Sequence, residues 1–179
     1  MFQHPSTILH YGLAYDLIHL REHFLPTTWR EGAADRSFML RVRYADHCYS
    51  DGDLPQLPGC AIIKDQHAKD RAFCPLRHAH SLALPGIIAG LAAKPSTFVG
   101  FTIERNWQVF RLLMKPDPNA GLRYCLFFMA RRSILQPVSG APVNVDLDIR
   151  SAYVKTNQVK VLRNLPFGQV VTDASKRGG

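Results

Sequence analysis

Residues 143–150 alternate without a fault: Val143, Val145, Leu147 and Ile149 on one side, Asn144, Asp146, Asp148 and Arg150 on the other. A period of two is what a strand needs when one face lies in a core and the other does not. The chain is therefore committed to a sheet, and a core must form against the valine side. If the strand runs on unbroken to Val154, Ser151 and Tyr153 join the valines. Two hydroxyls on that side are either packed in the core or exposed where the sheet face opens.

The rest of the chain divides around this strand. From Ser6 to Phe24, Ile8, Leu9, Leu13, Leu17, Leu20 and Phe24 recur at helical spacing behind a Ser6 cap, and Pro26 ends the run. Phe38–Tyr44 reads as the first strand, with Arg41 and Arg43 sharing a face. Asp46–Asp70 is rich in Asp, Pro and Gly and reads as a long loop with a short strand at Ala61–Ile63. Pro75–Ala92 is helical, interrupted at Pro85-Gly86. A hairpin over Thr97–Glu104 and Trp107–Met114, a strand Leu122–Arg131 and the strand Val143–Val154 follow. Helices before strands indicate a single α+β domain over residues 1–155, with N-terminal helices packed on an antiparallel sheet of about four to five strands. Residues 156–179 are expected to be a basic, partly ordered tail with a short strand at Val159–Leu162.

At 179 residues and 46% apolar composition the chain can bury one core. The longest apolar run, Leu82–Ala93, is broken by Pro85, Gly86 and Gly90 and falls short of the roughly 18 residues of a membrane span. No signal-peptide order is present at the N-terminus, so a cytoplasmic protein with no membrane partner is expected. Cys48, Cys60, Cys74 and Cys125 are then expected as free thiols. Net charge is +8, and all of the excess is in the second half: residues 1–93 hold nine Lys/Arg against nine Asp/Glu, residues 94–179 thirteen against five. Such asymmetry suits a polyanion partner, nucleic acid above all, although a basic soluble surface would look the same.

Motifs exclude more than they assign. P-loop, dinucleotide, Gly-x-Ser-x-Gly and His-Glu-x-x-His signatures are absent. His47, Cys48, Cys60, His67, Cys74, His78 and His80 crowd into one region, but no pair has the Cys-x2-Cys spacing of a zinc site. Asp146 and Asp148 on a strand face are expected to be solvated, and Asp46, Asp51 and Asp53 to form turns. A cofactor-free set of His, Arg, Ser and Tyr remains. His47 closes the first strand, at a junction where a side chain can be both fixed and exposed, and it can exchange a proton near neutral pH.

The order Arg43-Tyr44-x-Asp46-His47-Cys48, Phe73-x-Pro75-x-Arg77-x-x-x-Ser81-x-x-Leu84-Pro85, Phe127-Phe128 and Arg150-Ser151-Ala152-Tyr153 resembles a family of small bacterial and mobile-element proteins. The final strand is also similar to toxins of the RelE/ParE-like and barnase–EndoU–colicin group. His78, His80 and the long first helix lie outside that pattern. The resemblance implies a compact α+β toxin that cleaves RNA without metal or other cofactor, with an antitoxin protein as a possible partner. Under it His47 is the general acid or base. Arg77 and Arg150 stabilise phosphate charge, and Ser151 and Tyr153 orient the ribose or phosphate. Arg105, Arg131, Arg132 and Lys155 are the expected nucleic-acid backbone contacts, and Trp107 and Phe110 either stack on bases or pack in the core. The competing class is a non-enzymatic protein that binds nucleic acid or a component of replication or translation.

Overall fold

The computed structural model describes residues 5–65, 67–102, 108–113, 122–135, 142–155 and 159–176. Twelve strands and three helices are present among them: β1 Thr7–His10, β2 Leu13–Asp16, β3 His23–Glu31, β4 Ala34–Tyr44, β5 Ser50–Asp51, β6 Ile62–Lys64, β7 Asp70–Phe73, α1 Pro75–Ser81, α2 Leu84–Ala93, β8 Phe98–Thr102, β9 Gln108–Leu113, β10 Arg123–Arg132, β11 Val143–Lys155, β12 Val161–Pro166 and α3 Phe167–Lys176. Seven of the strands form one sheet in the order β12-β8-β9-β10-β11-β4-β3. The two strands β1-β2 and the three strands β5-β7-β6 form two small further sheets.

This overturns the expected fold of N-terminal helices on a four- to five-stranded antiparallel sheet. Where a helix was expected over Ser6–Phe24, the chain makes the β1–β2 hairpin, a 3-10 turn at Ile18–Leu20 and the start of β3. The reason lies at Tyr11-Gly12, whose φ angles are 49° and 78°. Positive φ at both central residues is what a two-residue hairpin turn requires and a helix forbids. The apolar spacing suited both structures, and burial separates them: Ile8, Leu17 and Leu20 are buried, Leu9 and Leu13 exposed. Pro26, expected as a helix stop, sits in β3 at the sheet edge, where its missing N–H disturbs no neighbour. The second helix breaks at Leu82–Ala83, and Pro85 lies in the first turn of α2, where a missing N–H goes unused.

The sheet is also mixed. Strands β4 and β11 run parallel, Leu40 opposite Val145 and Val42 opposite Leu147, and every other pair in the sheet is antiparallel. On one face Leu40, Val42, Val145, Leu147, Ile149 and Phe128 pack against Leu84, Ile88 and Leu91 of α2 and Phe167, Val170 and Val171 of α3. Residues 161–176, read from sequence as tail, thus supply an edge strand and a core helix. Phe167 stands edge-on to Phe128 with ring centroids 6.0 Å apart. A Cβ at Gly168 would meet the Trp29 ring at 2.4–2.6 Å, so α3 packs on β3 only because that position lacks a side chain.

The opposite face carries the alternating polar residues, and they are not solvated as expected. Asp146 and Asp148 are 2% and 3% exposed. Arg41 grips Asp146 through Nε and Nη2 at 2.9 and 2.8 Å, and Arg43 reaches Asp148 at 2.8 Å and Asp146 at 3.0 Å. From the other side, Nη2 of Arg131 comes within 3.3 Å of Asp148. Parallel registry places Arg41 beside Asp146 and Arg43 beside Asp148, so the two alternating strands zip by charge. Burial works against the charge of Asp146, yet bonds from Arg41 and Ser133 and the charges of Arg43 and Arg41 hold its carboxyl below the usual range.

Two stability outcomes follow. Asp146→Ala leaves two buried guanidinium groups facing a hole, and should lower unfolding free energy by about 3–5 kcal/mol in denaturant titration. Gly168→Ala should cost about 1–3 kcal/mol by displacing the Trp29 indole, visible as a shift in its fluorescence together with a lower midpoint.

Candidate functional site

β4 leaves the sheet at Tyr44, and the next residue is tied to β11 by the Ala45 N–H bond to the Ile149 carbonyl at 2.8 Å. A 3-10 turn over Asp46–Cys48 follows, closed by the Cys48 N–H on Ala45 O and the Tyr49 N–H on Asp46 O, both at 3.0 Å. Cys48 and Tyr49 point into the core at 0% and 1% exposure. His47, between the buried Asp46 and Cys48, is turned outward, and its side chain keeps 34% of its surface in solvent.

Charged groups surround the imidazole. Its Nε2 lies 3.8 Å from Oδ2 of Asp46 and 3.9 Å from Oδ2 of Asp65, outside hydrogen-bonding distance but well inside coulombic range. The Asp46 oxygen is buried and accepts no hydrogen bond among the described residues, with Nε of Arg71 at 3.5 Å. Arg71 itself donates to Ser50 Oγ at 2.9 Å and to the Ser50 carbonyl at 3.2 Å. Burial pushes the His47 pKa below its ordinary value and the Arg71 charge adds to this; Asp46 and Asp65 oppose, and Arg77 lowers it further. His47 is therefore neutral at pH 7 and can take a proton. The neighbouring Cys48 is the reverse case, its thiol pushed far up by burial and held unreactive.

Arg77, expected as a phosphate contact, is used by the protein itself. Its Nη1 donates to the carbonyls of Ser50 at 2.8 Å and His47 at 3.3 Å, and its Nη2 to Oδ2 of Asp51 at 2.7 Å. The guanidinium carbon stands 5.0 Å from the centre of the Tyr153 ring. Tyr153 in turn stacks on Phe127, centroids 5.6 Å apart and planes 24° off parallel, with Nζ of Lys155 5.6 Å from its ring. The helix, the 47–51 turn and the end of β11 are thereby clamped through one side chain.

The expectation that Ser151 and Tyr153 share the valine face fails for a specific reason. Phe128 faces Ile149 and Phe127 faces Ser151, so β11 gains one residue at Arg150 in a β-bulge. Beyond it the faces exchange. Ala152 and Val154 join the main core, while Tyr153 packs with Cys125 and Phe127 on the other side. Ser151, opposite Phe127, is buried there at 7% exposure.

The predicted residues thus divide. His47, Arg77 and Tyr153 come together, and Arg150 follows the Ile149 carbonyl that anchors the His47 turn. Arg131 belongs to the ion-pair ladder, Arg132 is exposed at the end of β10, and Lys155 lies beside Tyr153. Arg105 and Trp107 lie outside the described residues, as does the Phe110 side chain. Sequence reasoning passed over Arg71 and Asp65. The Asp65 carboxylate takes the N–H groups of His67 and Lys69, a local turn signal, but nothing in the sequence shows that it faces His47. All four cysteines are free thiols, and among the described residues no three His, Cys, Asp or Glu side chains gather as a metal site.

A model of the YjaZ family matches residues 7–173, from the first strand of the N-terminal hairpin into α3. The chain belongs to the YjaZ family. No curated protein and no solved structure matches it. Nothing in the YjaZ match links the chain to RelE/ParE-like or barnase–EndoU–colicin toxins. Among the described residues no helix of this YjaZ-family chain is long and apolar enough to cross a membrane.

Arg77→Lys keeps the charge but cannot reproduce a fork that holds two carbonyls and a carboxylate. It should cost about 1–2 kcal/mol in stability, with faster amide exchange over residues 47–51 than in the rest of the chain.

Proposed function

We propose that this chain acts on RNA, cleaving it by general acid–base chemistry at His47. The observation that carries this reading is a partly exposed imidazole on a 3-10 turn, 3.8 and 3.9 Å from two carboxylates and within the field of Arg71 and Arg77, with burial and Arg71 lowering its proton affinity. In the reaction the ribose 2′-hydroxyl passes its proton to His47 as its oxygen attacks the adjacent phosphorus. The bond from phosphorus to the 5′-oxygen breaks, and that oxygen takes a proton back from the imidazolium, leaving a cyclic phosphate. Arg150, next to the Ile149 carbonyl that ties down the turn, is assigned to stabilise the charge on the phosphoryl oxygens. The excess of basic residues after residue 93 draws the RNA backbone to the molecule. Under this reading the protein is a toxin-like ribonuclease that works in the cytoplasm, needs no metal and is restrained by a partner protein.

One observation favours a second reading, binding without cleavage. Both terminal nitrogens of Arg77 are held by acceptors of the protein itself, and so are withdrawn from phosphate recognition.

Cleavage of a labelled single-stranded RNA in the presence of a chelator decides between them. His47→Ala should lower the rate about 10²–10⁴-fold while RNA affinity stays within about twofold. Because the His47 pKa is lowered, its base form persists at more acidic pH than an ordinary histidine would allow, and the acid limb of the pH–rate profile should fall below pH ~6.5. Unchanged cleavage by His47→Ala would overturn the catalytic reading; tight RNA binding without cleavage by the wild type would establish the second.

A further inference from the structure

The small sheet β5-β7-β6 brings two of the four thiols into register. β6 and β7 pair antiparallel, with Ile62 opposite Ala72, Ile63 opposite Arg71 and Lys64 opposite Asp70. The ladder extends one step further, because the Phe73 N–H donates to the Ala61 carbonyl at 2.9 Å. The next step in the same register sets Cys60 opposite Cys74. Bonded and unbonded pairs alternate along an antiparallel ladder, so this step falls on an unbonded pair, where Cα atoms stand about 4.5 Å apart and side chains share a face. The backbone bonds agree: the Cys74 N–H turns the other way, to the Tyr49 carbonyl at 3.0 Å, and the Cys60 N–H closes a turn on the Leu57 carbonyl at 3.0 Å. The Cys60 thiol leans toward the gap between the strands, its Sγ 3.6 Å from the Ala61 carbonyl that receives Phe73. Both backbones are held: Gly59, at φ 84°, sets the turn before Cys60, and the Cys74 carbonyl accepts the His78 N–H at 2.9 Å. The Ala61 N–H, which a continuing ladder would give to Phe73, goes instead to His10 Nδ1 at 3.3 Å. The backbone pairing therefore stops just short of the two cysteines.

We propose that Cys60 and Cys74 form an oxidation site, which a peroxide converts to an intramolecular disulfide joining the start of β6 to the foot of α1. A disulfide spans Cα atoms roughly 4.4–6.8 Å apart, a range that an unbonded cross-strand pair meets without moving the backbone. Exposure selects the same two residues. Cys60 and Cys74 are partly exposed, whereas Cys48 and Cys125 are 0% and 1% exposed and closed to an oxidant. In the first step one sulfur, as thiolate, attacks an oxygen of hydrogen peroxide. The O–O bond breaks, the departing oxygen takes up the thiol's proton and leaves as water, and a sulfenic acid remains. The second thiol's sulfur then attacks the first, the S–O bond breaks and a second water leaves with that thiol's proton. Two thiols thus give up two electrons and two protons, and one peroxide becomes two waters. The bond closes a ring from residue 60 to residue 74 that contains β6 and β7, and it completes the pairing that the backbone leaves off at Ala61. Because Cys74 directly precedes α1, the helix that carries Arg77 is then tied to the sheet edge through a covalent bond. This site stands whether or not the protein cleaves RNA.

Treatment of the full chain with a slight excess of hydrogen peroxide, followed by intact mass measurement without reductant and by alkylation of the remaining thiols after denaturation, tests it. The wild type should stay monomeric, lose about 2 Da and take up two alkyl groups instead of four, and dithiothreitol should restore all four. Cys60→Ser and Cys74→Ser change partly exposed positions and leave the buried thiols untouched. Each should abolish the 2 Da loss, its remaining partner appearing as an oxygen adduct or in a linked pair of chains. Hydrogen exchange supplies a readout on the fold: amides of β6 should exchange about tenfold more slowly in the oxidised protein, while those of β11 keep their rates. Oxidation of the wild type that only adds oxygen or only links two chains would overturn the proposal, and so would an internal bond that persists in either serine variant. Unchanged exchange in β6 after the bond has formed would overturn its role in tying that strand down.

Discussion

The parallel pairing of β4 with β11 is the constraint on which the rest of the structure depends. It joins residues 105 apart in the chain through a double row of ion pairs, Arg41 on Asp146 and Arg43 on Asp148. Removing four charges from water is costly, and attraction between them repays it only when hydrogen bonds leave nothing unmatched. The two-pronged grip of Arg41 and the doubly used carboxylate of Asp146 meet that condition. The hydrophobic face beneath, Leu40, Val42, Val145 and Leu147, would tolerate other pairings of these strands. The charged face does not: a slip of one residue would set arginines on the wrong side and aliphatics in their place.

Everything around His47 inherits its position from that pairing. Because β4 ends beside Ile149, its outgoing turn docks on β11 through Ala45, and the residues after Ile149 are left free of β4 to meet the turn and α1. The bulge at Arg150 then reverses the strand's faces, which brings Tyr153 out of the main core and under Arg77. A bulge is often regarded as a defect in a ladder. In this strand it is the device that lets one β11 serve a hydrophobic core in its first half and an aromatic–cation clamp in its second.

Electrostatics gives the exposed histidine a definite state. Two carboxylates near an imidazole would ordinarily raise its pKa, and Asp46 and Asp65 do pull that way. Desolvation and Arg71 prevail, so the ring remains neutral among four charged groups. The same region shows why residue type alone misassigns roles. Arg77 has the chemistry of a phosphate ligand but spends its donors on Ser50, His47 and Asp51, whereas Arg71, which carries no motif, sets the field at His47.

The sequence by itself determined what depends on neighbours in the chain. The alternation of residues 143–150 marked β11, Phe38–Tyr44 marked the inner part of β4, and Leu122–Arg131 marked β10 almost to its ends, because a half-buried strand shows its period directly. That His47 follows closely on β4 was legible from chain order, but the 3-10 turn that holds it was not. Apolar spacing over residues 8–24 was ambiguous, since Ile8, Leu17 and Leu20 suit a helix face as well as the hairpin and 3-10 turn that bury them, and the Tyr11-Gly12 backbone decides. Tertiary structure alone settled the parallel registry, the bulge, the burial of Asp146 and Asp148, and the capture of residues 161–176 as edge strand and core helix. Each of these depends on which distant residue lies across the gap, and that is set by the packing of the whole chain.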